Sequence, residues 1–179
     1  MILRPRQVAA TLLCVDEYQV GLGLTDEEWG LLVGLPESVV VAASAAESDS
    51  GRRTAAESGA GQEAIANGRY SGNPLVEAVS TRLLELVGDP EDGVAPPVIE
   101  VPDPEATIAE VIDKARTASR LLAAKAEEAD ASAYRFWLGT IADEVVVAAR
   151  SGGVMGIGGD LMTEHELEFR ERLAAALDE

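Results

Sequence analysis

The chain has 179 residues, 32 of them acidic against 14 basic, for a formal net charge of −18 at pH 7; 47% are hydrophobic and only 4% aromatic. So acidic a surface repels phosphate backbones and anionic lipid, which argues against nucleic-acid and membrane partners and leaves a basic protein or a cation as the complementary ligand classes. The single cysteine, Cys14, rules out an internal disulfide and a cysteine-based zinc site, so a reducing, cytoplasmic setting is expected.

The apolar content is mostly Ala, Val and Leu, which suits close-packed helices, and the length suits one all-α domain over 1–179. The opening segment MILRPRQVAATLLCV reads as helical, with Cys14 a small buried hydrophobe and no cleavage site of the export type. No apolar run is expected to reach the roughly 20 residues that span a bilayer. In GLGLTDEEWGLLVGL, Thr25 is the predicted N-cap, Asp26 and Glu27 fill the first turn, and Glu28 completes a capping box. Trp29, Leu32 and Val33 should face inward, and Pro36 should end this helix or kink it into a second run, ESVVVAASAAES.

Residues 48–73, rich in Gly, Ser and Ala, are predicted to be weakly ordered or to form short helices, with 55–67 interrupted by Gly59 and Gly61. Asn73-Pro74 opens a helix whose inner face is Leu75, Val76, Val79, Leu83, Leu86 and Val87, closed by Gly88. Residues 88–103 hold four of the eight prolines and read as an extended connector. Asp103-Pro104 starts a helix to about Ala126, burying Ile108, Val111, Ile112, Ala115, Ala118 or Ser119, and Leu122. After a break near 127–130, with Asp130 as cap, Tyr134, Trp137, Leu138, Ile141, Val145 and Ala148 share one side of a further helix ended by Gly152-Gly153. Thr163 and Glu166 form a second capping box, for a last helix burying Leu167, Phe169 or the stem of Arg170, Leu173 and Leu177. The total is a bundle of about six or seven helices.

The glycine-rich stretch VMGIGGDL between the last two helices matches neither phosphate-loop pattern, has no lysine nearby and is followed by acids, so no nucleotide or other cofactor is implied. Its apolar residues Val154, Met155, Ile157 and Leu161 need cover, either from their own core or from another subunit or partner. Asp160, Glu164, His165 and Glu166 could collect a divalent cation if a second element supplied more oxygens, and Asp26 and Glu28 in the other capped turn are the candidates. One histidine and one cysteine, with no glycine-flanked nucleophile, give no catalytic residues to name.

The segments LTDEEWGLLVGLPESVVVAASAAE, ANGRYSGNPLVEAV and FWLGTIADEVVVAARSGGVMGIGGDLMTEHELEFRERLAAAL resemble a set of small bacterial all-helical proteins of unknown function. Those proteins carry an early Glu-Glu-Trp helix and a late glycine-rich loop followed by Ser/Thr-x-x-Glu. More distantly the chain resembles tellurite-resistance-type helical domains, in which acidic helix ends have been linked to metal; it has AAESDSG and GIGGDLM in place of their Ala-Asp-Gly signature. The expected function is a non-enzymatic interaction or stress-associated module that self-associates through the glycine loop. The alternatives are a divalent-cation-binding protein and, third, a carboxylate-dependent hydrolase.

Overall fold

Thr25 starts the first long helix by the chemistry its neighbours supply. Its backbone is extended, its Oγ1 accepts from the Glu28 N–H at 3.2 Å, and its own N–H donates to Glu28 Oε2 at 2.7 Å. The computed structural model describes residues 18–46, 51–89, 101–151 and 163–179. Among them are six α-helices, α1 (Asp26–Ala45), α2 (Gly51–Asn67), α3 (Pro74–Val87), α4 (Pro104–Lys125), α5 (Glu128–Ser151) and α6 (Glu164–Leu177), with one 3-10 turn, Gly68–Tyr70, and no strand. Residues 18–21 are also helical. The fold is an all-α bundle.

Side-chain bonds fix the helix directions. The Tyr18 hydroxyl donates to Asp130 at 2.5 Å, the Asn73 amide donates to the other Asp130 oxygen at 2.8 Å, and Lys125 Nζ donates to the Gly23 carbonyl at 2.9 Å and to Glu28 at 2.6 Å. The starts of α1, α3 and α5 and the end of α4 therefore meet at one end of the bundle. Gln62 on α2 donates to Glu37 on α1, and Ser80 on α3 donates to the Ile65 carbonyl, so α2 runs back between them. Arg172 pairs with Glu105, and Ser119 donates to the Leu177 carbonyl, so α6 lies along α4 in the same direction. The six helices thus alternate up and down, with α1 packed against α2, α3, α4 and α5. One apolar core draws on all six, from Leu32, Leu35 and Val39 through Ile65, Leu75, Leu122, Tyr134 and Ile141 to Phe169 and Leu173.

Several local expectations hold. Asn73 and Asp103 cap α3 and α4 through their side chains with proline at the start of each helix, and Gly88 ends α3 at φ 96°, a conformation that favours glycine. Both Ala118 and Ser119 are buried, and Thr163 and Glu166 form the second capping box.

Others need correction. Pro36 does not end α1, which runs on through it to Ala45; the carbonyl it cannot serve, that of Leu32, accepts from the Tyr134 hydroxyl at 2.7 Å. The helix is consequently 20 residues long and apolar enough, by length and composition, to cross a membrane, although 56% of that window is buried within the bundle. Residues 51–67 are one uninterrupted helix rather than short pieces, since small residues let it approach α1 and α5 closely. Leu86, Val87 and Leu167, expected inside, are exposed: the buried face of α3 stops at Leu84, and in α6 the buried stripe passes through Glu166, Phe169 and Leu173. Asp130 does not cap α5, which begins at Glu128; it ties α5 to Tyr18 and Asn73. Most of the 88–103 connector and the Gly152-Gly153 stop lie outside the described residues.

Candidate functional site

Helix α5 turns two adjacent aromatics in opposite senses. Trp137 points inward, 7% exposed, and its indole N–H donates to the Ala64 carbonyl on α2 at 3.2 Å. Phe136 points outward and is 77% exposed. The helical period requires this division: Tyr134, Trp137, Leu138 and Ile141 occupy the buried stripe, leaving position 136 on the far side.

Phe136 stands between two grooves. One, about 530 Å³, runs between α5 and α2 and continues to the 3-10 turn and the start of α3. Its floor has small residues at helical spacing, Ala60, Ala64 and Gly68, with the edge of Trp137 beside them. Gly68 is required there, because a Cβ on it would lie 2.7 Å from Trp137 Cζ2. Glu63 and Glu144 stand on its two walls, and among the described residues no Lys, Arg or His lines it. The other groove, about 350 Å³, lies between α5 and α6 and includes Arg135, Asp143 and Arg170. Its cations have acidic partners: Arg170 pairs with Asp143, and Arg135 with Glu128 at 3.3 Å.

The residues singled out in the two capped turns are deployed differently. Asp26 accepts from the Gln19 side chain at 3.0 Å, and Glu28 accepts from Lys125 and from the Thr25 N–H. The bond from Lys125, followed by that from Thr25, holds the Glu28 carboxyl below the usual glutamate range. Glu166 is buried in its capping box, with Oε2 accepting the Thr163 N–H at 2.9 Å, while Glu164 and His165 are exposed. Glu28 sits at the Lys125 end of α4, and α6 begins beyond the Glu105 end, so the two turns are separated by about 30 Å, the length of such a helix. The structure therefore does not bring Asp26 and Glu28 together with Glu164, His165 and Glu166. Asp160, Val154, Met155, Ile157 and Leu161 lie outside the described residues. Among the described residues, no group of three or more His, Cys, Asp or Glu side chains is placed to hold a metal ion.

Sequence reasoning passed over Phe136. The available signal was its register against Tyr134, Trp137 and Ile141, which sets a large aromatic on the solvent side. Compared with family models, with curated proteins and with solved structures, the chain gives no match.

Proposed function

We propose that this protein is a non-enzymatic helical module that binds a protein segment across the outer face of α5, with Phe136 as the anchor. The observation that carries this reading is a phenylalanine 77% exposed on α5 between two grooves. Scattered exposed apolar residues are ordinary, but aromatic side chains beside pre-formed concavities are the usual energetic centres of interfaces. Covering a fully exposed phenylalanine side chain contributes about 1.5–3 kcal/mol before ordering costs.

The test is a random dodecapeptide library displayed on phage and panned in parallel against the wild type and Phe136→Ser. Sequences enriched on the wild type alone are the expected result. If both proteins enrich the same sequences, or neither enriches any, the α5 face is not a docking site.

A second form of the interaction reading is self-association through the glycine-rich loop bearing Val154, Met155, Ile157 and Leu161. It is favoured by Leu86 and Val87, exposed at the end of α3, and by Leu167, exposed near the start of α6. Light scattering on the wild type and on Ile157→Ser decides it: a dimer lost in the variant supports the idea, and a monomer in both removes it.

A further inference from the structure

The groove between α2 and α5 has a chemical polarity along its length. Helices α2 and α5 are antiparallel, since Ala64 meets Trp137 while a Cβ on Gly61 would lie 3.0 Å from Val145 Cγ2. That register places Glu63 and Glu144 on facing walls of the same stretch of groove, about a turn apart. Both side chains are exposed, and no hydrogen bond or ion pair with another described residue occupies either carboxylate. The neighbouring groove differs, because its arginines are already paired. Phe136 lies eight residues before Glu144 on α5, which is about 12 Å along the helix axis.

Resting on the docking reading above, we infer that the occupant of this groove is a basic protein segment, with a Lys or Arg cation meeting Glu63 and Glu144 and an apolar side chain of the same segment packing against Phe136. Charge complementarity selects the cation: two carboxylates without a partner among the described residues stand about a turn apart on opposite walls of a groove whose described lining holds no basic residue, on a chain of net charge −18. The small floor residues Ala60, Ala64 and Gly68 leave room for the segment to lie flat. Spacing narrows it further. A distance of about 12 Å corresponds to three or four residues of an extended chain, so the cation and the apolar anchor belong three or four positions apart. The net charge also steers such a partner from a distance, so association is faster at low salt.

The experiment uses peptides enriched on the wild type, their affinities measured by fluorescence anisotropy for the wild type, Phe136→Ser and the double variant Glu63→Gln/Glu144→Gln, at low and high salt. Thermal melts confirm that each variant is folded. Enriched peptides should carry Lys or Arg three or four positions from an apolar residue. The double variant should bind them at least about tenfold more weakly, the scale of lost charge-assisted hydrogen bonds, and with a flatter salt dependence. Peptides that require Phe136 but show no basic bias and bind the double variant unchanged overturn this inference and leave the docking reading standing. Peptides indifferent to Phe136, or no enrichment at all, overturn both. A wild-type dimer that dissociates in Phe136→Ser makes a second copy the occupant and also overturns the basic-segment assignment.

Discussion

The hydroxyl of Tyr134 donates to the carbonyl of Leu32 at 2.7 Å, filling the position that a backbone N–H at residue 36 would hold in an uninterrupted helix. Pro36 has no such N–H, so without Tyr134 a buried carbonyl in the central helix would have no donor. Burial pushes the Tyr134 phenol far above its usual range, which keeps it protonated and able to donate. Its ring packs edge-on against Trp137, with centroids 6.0 Å apart, so the hydroxyl is aimed by the core and not by solvent.

Tyr134→Phe should therefore destabilise the protein by about 1–3 kcal/mol, the range for leaving a buried acceptor unpaired. Pro36→Ala restores a backbone donor, so the same tyrosine change should cost distinctly less in that background. Urea denaturation of the wild type, both single variants and the double variant closes the cycle. An equal loss in the two backgrounds would show that the hydroxyl does not substitute for the missing amide.

Gly59 within α2 and Gly68 in the 3-10 turn that follows it should respond in opposite ways. A Cβ at Gly68 would meet Trp137 Cζ2 at 2.7 Å, so Gly68→Ala should destabilise by about 1–3 kcal/mol and shift the tryptophan fluorescence. A Cβ at Gly59 would meet nothing within 4 Å, so Gly59→Ala should stabilise by about 0.5–1 kcal/mol through helix propensity. Chemical denaturation measures both. If the two changes have the same sign, α2 and the turn after it are not packed as described.

The Lys125–Glu28 bond joins the end of α4 to the start of α1 and gives a signed pH dependence. Lys125 and the Thr25 N–H hold the folded Glu28 carboxyl below its ordinary value, so this contribution is present above the unfolded-state value and is lost as pH falls through the folded one. Lys125→Met should lower Tm at neutral pH, and the gap from wild type should narrow below about pH 4. Calorimetry across that range checks it. The part of the gap due to the Lys125 bond with the Gly23 carbonyl is not tied to Glu28 and should persist. A gap that widens on acidification reverses the assigned sign.

The parts of this fold legible in sequence are those decided within about four residues. The boxes at Thr25/Glu28 and Thr163/Glu166, and the caps Asn73 and Asp103 before proline, are local bargains between a side chain and nearby amides. The inward stripe of α4 was legible because large apolar residues mark it at helical spacing. Helix α2 and the turn after it were not, because their buried positions include Gly61, Ala64 and Gly68, and the glycines gain cover from the close approach of Val40 and Val145 to Gly61 and of Trp137 and Ser80 to Gly68. The passage of α1 through Pro36 is hidden in the sequence for a related reason, since the compensating donor lies 98 residues away. The groove beside Phe136 is likewise a relation between helices: Glu63 and Glu144 are 81 positions apart and share a stretch only once α2 and α5 pack antiparallel.

The most direct test of the docking face is a ¹⁵N–¹H NMR titration of the wild type with a peptide enriched on it and not on Phe136→Ser. Shifts should concentrate at Phe136, the Trp137 indole N–H, Gly68, Glu63 and Glu144, with the outer face of α4 around Glu110 and Lys114 unmoved. Shifts centred on α4, or spread evenly over the bundle, would contradict a binding site on α5.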